Sequence, residues 1–461
     1  MRGSTEKAQW KWARFWRDLG GNVSIFFAFS VIAIFGTVGI AIDTSIAYNV
    51  RAQLASAVDA AALAGARAFA SPTRNTDIQN FFAANFQDGY MGSVLQPLEI
   101  VPDDQSRTIT VTARATIPTF FMGVLGQHST DVAATAEATL SSRDVEVALV
   151  LDITGSMSGS KIASLRSAAN ELVDIVVQDL QVPFYSKVAL VPYSSGVNVG
   201  ALADAVRGPV TTGTCSYPAA PTCEEFEFPR ASDGDLITYD VSTCVTERPG
   251  PHLSTDAAPS LAPLSPLFPP DGSYNPCPSA EIMPLTSNKG ALTAAINGLT
   301  HGGSTAGQTG VAWGWYMLSP NFGYLFPGEG TPSPYGMINL GQEVLKVVII
   351  MTDGEFNTIY HSGVNANNSG PKSGGPEYKI NQPGTNGSSF DQAEALCDAM
   401  KLEGIVVYTV GLELGAAPGA VDFVNYCATS ADNVYLPGNG TELRQAFRDI
   451  AVQVSNLRIS M

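Results

Sequence analysis

The chain has 461 residues, 45% hydrophobic and only 15% charged, with 42 Asp and Glu against 25 Lys and Arg. That length suffices for two or three compact domains. The net charge of −17 argues against a nucleic-acid partner, because neutralising phosphates needs clustered Lys and Arg.

Arg2, Lys7, Lys11, Arg14 and Arg17 stand ahead of an uncharged apolar run from Asn22 to Ile42. The run matches the ~20 residues a helix needs to span a bilayer. Its basic flank predicts a cytoplasmic segment over 1–21, a transmembrane helix over 22–42 and export of the chain beyond residue 43. A cleavable secretory signal would have a shorter apolar core, about 7–15 residues, and a small-residue cleavage site. No clear site comes directly after Ile42, so a retained, single-pass anchor is expected.

Next comes an Ala-rich stretch, Thr44 to Ala70, which predicts a helix continuing from the membrane segment until Ser71-Pro72 stops it. Asp43 and Asp59 are expected on a solvated or interfacial face of this helix. Alternation of apolar and small polar residues over 93–104, 107–121 and 129–142 predicts strands of a small sheet domain. Met122–His128 joins two of them, and Asp103–Ser106 reads as a hairpin turn. Residues 43–144 thus form a helix plus a small β-rich domain.

From Val145 the pattern changes. Val145–Leu151 is almost continuously apolar, as in a strand buried on both faces of a parallel sheet. Residues 160–180 place Ile162, Leu165, Ala169, Leu172, Val176 and Leu180 on one helical stripe. Further strands are expected over 187–195, 344–352 and 404–414, and helices over 288–299, 307–318, 390–402 and 441–456. This alternation predicts an open, doubly wound, Rossmann-like α/β domain over 145–461. Gly-, Pro- and Asn-rich insertions interrupt it near 201–287, 320–340 and 361–390.

Six cysteines fit an exported chain. No pair has CxxC spacing, which argues against zinc or thioredoxin-like chemistry. An even count outside the cytoplasm reads as disulfides. Cys397–Cys427 is the expected C-terminal pair, while Cys215, Cys223, Cys244 and Cys277 leave three pairings open.

Ligands of doubly wound sheets bind at the carboxyl ends of the strands. Two strands here end in acid, at Asp152 and Asp353, and a Gly-rich turn carrying Thr305 lies between them in sequence. Asp152, Thr154 and Ser156 alternate along one turn, so their oxygens can face one way. Carboxylates and hydroxyls are hard ligands suited to Mg²⁺, with Mn²⁺ as a substitute. Few protein charges would then face the ion, leaving it able to accept a carboxylate from a partner.

Asp152-x-Thr154-x-Ser156, Gly303-Ser304-Thr305 and Thr352-Asp353-Gly354, in that order, resemble the metal-ion-dependent adhesion site of von Willebrand factor A domains. The resemblance implies that Asp152, Thr154, Ser156, Thr305 and Asp353 hold the ion directly or through water. Thr154 stands where Ser is usual and keeps the oxygen. It also implies that the metal loop moves together with the C-terminal helix over 441–456. Residues 17–68 and 396–451 are similar to TadG-like proteins of Tad (Flp) pilus assembly, with a pilin-like membrane helix at the start. Prepilin-peptidase substrates carry Glu five residues past the cleavage glycine. Ile25 or Phe26 stands there, so the resemblance implies an uncleaved anchor.

Together these readings imply a bacterial inner-membrane protein with a periplasmic bulk that recognises an acidic side chain of a pilin or another pilus assembly protein through Mg²⁺. The alternative is an exported surface adhesin not tied to pili. Enzyme motifs fail. Gly155-Ser156-Met157-Ser158-Gly159 lacks the central Ser of a nucleophile elbow. Ser158-Gly159-Ser160-Lys161 matches S-x-x-K, but its companion Lys372-Ser373-Gly374 falls in a loop and no S-D-N lies between. A phosphatase of the aspartate-nucleophile type would need an acid at Thr154. Ser158 or Ser160 is expected to cap the next helix, and the four histidines read as loop residues.

Overall fold

The computed structural model describes residues 22–459 except 70, 104–107, 140–142, 271–273, 340 and 416. The basic segment 1–21, and the expected turn at Asp103–Ser106 beyond its first residue, lie outside these. The chain divides into two compact units, residues 1–140 and 141–461.

In the first unit, helix α1 (Asn22–Arg67) runs unbroken for 46 residues and is long and apolar enough to cross a membrane. Phe26, Phe27, Phe29, Ile32 and Phe35 along its first half are exposed. Its second half buries Val50, Leu54, Ala57, Val58 and Ala61 at helical spacing. They face an antiparallel sheet of β1 (Val94–Leu95), β2 (Glu99–Asp103), β3 (Thr108–Pro118) and β4 (Ser129–Thr139), in which β3 pairs with the other three. Strict alternation along β3 sends Ile109, Val111, Ala113, Ala115 and Ile117 inward. Helix α2 (Arg74–Asn85) adds Ile78 and Phe82 to the same core.

Asp43 departs from expectation. It is buried, and its carboxylate accepts the backbone N–H groups of Phe120, Phe121 and Met122 at 3.1, 2.9 and 2.8 Å. The periodicity that finds strands does not show that the β3–β4 connection folds back onto the helix. Asp59 is exposed, as expected.

The second unit is built on a six-stranded sheet. Its strands are β5 (Val145–Asp152), β6 (Ser186–Tyr193), β7 (Met283–Thr286), β8 (Leu345–Thr352), β9 (Val406–Gly411) and β10 (Val434–Tyr435). They lie in the order β7-β6-β5-β8-β9-β10. All neighbours are parallel except β7, which runs antiparallel to β6. That edge strand comes from within the stretch expected to be insertion, whose short apolar run Met283–Leu285 gives little periodicity.

Every residue of β5 and β8 is buried. Val147, Leu149 and Leu151 point to one core with helices α3 (Ser160–Val176), α4 (Lys289–Asn297) and α8 (Gly440–Ile459). Ala148 and Val150 point to the other, with α5 (Gly307–Tyr316), α6 (Ser389–Leu402) and α7 (Pro418–Cys427). Two apolar environments, one per face, explain the nearly continuous apolar run.

Asn288 and Ser388 cap α4 and α6 with their side chains. Neither Ser158 nor Ser160 caps α3. Gly159 occupies that position with φ 75°, and no side-chain oxygen caps the helix. The first long insertion forms a three-stranded sheet of residues 211–216, 223–229 and 236–240. Phe226, Phe228 and Tyr239 from it pack with Val364 and Ile380 of the last insertion. Disulfides join Cys215 to Cys223, Cys244 to Cys277, and Cys397 on α6 to Cys427 on α7.

Candidate metal centre

Strands β5 and β8 are parallel neighbours, with Leu151 opposite Met351. Asp152 and Asp353 therefore leave the same end of the sheet. Asp152 is fully buried. Its Oδ1 accepts the Thr154 N–H at 2.9 Å. Its Oδ2 accepts the Tyr193 hydroxyl at 3.2 Å, the Thr352 hydroxyl at 3.0 Å and the Asp353 N–H at 3.3 Å. The Thr154 and Ser156 hydroxyls lie 2.9 Å apart, and Ser156 donates to Asp353 Oδ1 at 2.5 Å. Asp353 Oδ2 receives the Lys161 ammonium at 3.0 Å, and Glu413 lies 3.4 Å from the same ammonium.

The Gly-rich turn closes one side. Gly302 N–H donates to the Ile153 carbonyl and Gly155 N–H to the Gly303 carbonyl, both at 2.9 Å. Gly303 has φ 79°, and a Cβ there would stand 2.4 Å from the Ser195 hydroxyl, so only glycine fits. Thr305 is held through its backbone. Its N–H donates to Asn357 Oδ1 at 2.9 Å, and its carbonyl accepts the Asn357 and Thr358 N–H groups at 3.0 and 3.2 Å. The structure therefore gathers Asp152, Thr154, Ser156 and Asp353 into one hydrogen-bonded chain, with Thr305 on the loop clamped beside it.

Burial, and then the Asp353 carboxylate, push the Asp152 carboxyl up to about 6, against hydrogen bonds from Thr154 and Thr352. Burial alone would lower Lys161, but Asp353 and Glu413 outweigh it and the ammonium is held above its usual range. The donor set is two carboxylates plus hydroxyls, all hard oxygens. Among the described residues no group of three or more His, Cys, Asp or Glu gathers to hold a metal. The cluster fits a hard divalent cation such as Mg²⁺ or Mn²⁺, held by few charges, better than a soft one.

Sequence reasoning missed Tyr193, Lys161, Glu413 and Asn357. Tyr193 had a signal, since it lies in the strand expected over 187–195. Lys161 was visible only as part of an S-x-x-K match. Glu413 and Asn357 reach the site through loops that periodicity cannot align.

Residues 21–68 match a family model described as putative Flp pilus-assembly TadE/G-like. No curated protein sequence matches the chain. Among solved structures, the pilus adhesin SpaC from Lactobacillus rhamnosus GG overlaps at 11% identity and a TM-score of 0.36, over 79% of this chain and 35% of SpaC. The vWF domain of the type V pili tip protein Mfa5 from Porphyromonas gingivalis overlaps at 13% identity and a TM-score of 0.38, over 69% of this chain and 97% of that domain. Proximal thread matrix protein 1 from the mussel byssus overlaps at 13% identity and 0.31, over 68% of this chain and 46% of that one. This chain thus spans about a third of SpaC's length.

Proposed function

We propose that this chain is a membrane-anchored, metal-dependent protein-binding component of Tad (Flp) pilus assembly, with a von Willebrand factor A domain over 145–461. The observation that carries the reading is the convergence of Asp152, Thr154, Ser156 and Asp353 at the carboxyl ends of two adjacent parallel strands. The pilus-related role is supported by the family match over 21–68. The apolar half of α1 anchors the chain in the inner membrane, with 1–21 cytoplasmic and the bulk periplasmic.

Asp152, Thr154, Ser156 and Asp353, with Thr305 beside them, would hold the ion. Mg²⁺ there would supply a Lewis-acidic position open to a carboxylate oxygen of a partner. Tyr193 and Thr352 fix the rotamer of Asp152 through their hydroxyls. Lys161 shares the charge of Asp353, which moderates the field the cation would meet. The partner's acidic side chain belongs to a pilin or another pilus assembly protein.

The test is piliation of source cells carrying Asp152→Ala or Asp353→Ala, with the level of the chain in the inner-membrane fraction measured alongside. Loss of pili at an unchanged protein level is expected. Normal piliation at that level would overturn the metal-dependent role. Recovery of the wild-type chain at the cell surface instead of the inner membrane would favour the adhesin alternative.

A further inference from the structure

The connection between β3 and β4, Thr119–His128, holds no charged residue. Its apolar side chains point to solvent: Phe120 is 68% exposed, Phe121 45%, Val124 86% and Leu125 73%. Four large apolar side chains on one short loop make a patch that isolated exposed residues do not explain.

The loop is fixed in place. Three consecutive N–H groups, from Phe120 to Met122, converge on the Asp43 carboxylate. Phe121 also packs so closely on α1 that a Cβ at Gly39 would stand 2.6 Å from its side chain. Gly39 and Asp43 sit at the C-terminal end of the apolar run 22–42. The loop's apolar side chains therefore stand beside the last apolar turns of the span. Asp43 is the first acid after that run, and at the edge of hydrocarbon a carboxylate needs internal partners. The loop supplies three.

Resting on the reading of α1 as a membrane span, we propose that Phe120–Leu125 is a second membrane-contacting element, which inserts its apolar side chains into the lipid beside α1 and fixes the depth at which the helix leaves the bilayer. The occupant is phospholipid. The patch is uncharged and continuous with the lipid-facing side chains of α1, and the N–H groups of Phe120, Phe121 and Met122 are already satisfied by Asp43 and that of Val124 by the Phe121 carbonyl, in keeping with insertion into an apolar medium.

The test uses the full chain in phospholipid vesicles, with single nitroxide labels at Val124→Cys, Ile34→Cys and Asp88→Cys. All six native cysteines are paired. Collision with oxygen and with a water-soluble nickel chelate is measured at each site. Ile34 reports the span, and the exposed Asp88 reports water. The expected result is that Val124 resembles Ile34, with oxygen access and a several-fold drop in nickel access relative to Asp88. Nickel access at Val124 with Ile34 protected would overturn the proposal and leave the span intact. Protection of Val124 from both reagents would mean that protein covers the loop, which also overturns it. Nickel access at Ile34 would remove the span, and the proposal with it.

Discussion

Asp43 in the first unit and Asp152 in the second are both acids withdrawn from water, and their surroundings differ in what surplus they leave. Asp43 meets three backbone N–H groups and has no second carboxylate among the contacts described. Asp152 also meets several donors, but Asp353 stands beside it and raises its proton affinity. The first acid is a closed structural joint between helix and loop. The second belongs to a cluster with negative charge to spare, shared with one lysine. A buried acid signals ligand binding when its neighbours leave charge uncompensated, and not because it is buried.

Removing the joint should have the largest effect. Asp43→Ala strands three N–H groups that now bond a charged acceptor. Hydrogen exchange of the full chain should show lost protection at residues 120–122, while the second unit is unchanged. Unchanged protection there would erase the contrast.

Glu247 sharpens the comparison as a third buried acid. It accepts the Tyr360 N–H at 2.9 Å and lies 3.5 Å from the Gln308 amide. Burial pushes it up to about 7, against those hydrogen bonds. Its folded-state value exceeds its usual one of 4.5. The folded chain therefore keeps a proton that the unfolded chain has lost, and stability falls as pH rises from about 4.5 to about 7. The loss should be on the order of 3 kcal/mol. Thermal unfolding at pH 5 and pH 8 should show a smaller difference between the two in Glu247→Gln than in the wild type.

Lys161→Met removes the internal cation that shares Asp353. Affinity for Mn²⁺ should rise by a factor worth on the order of 1 kcal/mol, read by titration. Weaker binding would make Lys161 a support of the site instead of a competitor. The smallest effect is expected from Asp152→Asn in chelator. Relief of burial and repulsion offsets the lost acceptor, so stability should change by less than about 1 kcal/mol, in contrast to Asp43→Ala.

The strands and helices around the site were legible because burial on two faces leaves a plain mark. Val145–Leu151 and Leu345–Met351 are apolar runs but for Glu146 and Lys346, and Asp152 and Asp353 come just after them. Thr305 was legible through its Gly-rich turn, since the positive φ of Gly303 requires glycine. Asp43 was misread because helical periodicity shows which face a residue occupies, not which distant loop covers it. Gly159 took the cap assigned to Ser158 or Ser160 because the chain enters α3 through a left-handed turn. Met283–Thr286 was hidden by its brevity, and pairing with β6 supplied what its pattern lacked.

We propose that the Asp152–Asp353 cluster holds a divalent cation. Calorimetric titration of Mg²⁺ and Mn²⁺ into the metal-stripped full chain in detergent, beside Asp152→Ala, tests it most directly. Saturable binding of one ion per chain is predicted, lost in the variant while its thermal unfolding remains cooperative. Equal heats from the wild type and a folded variant would contradict it.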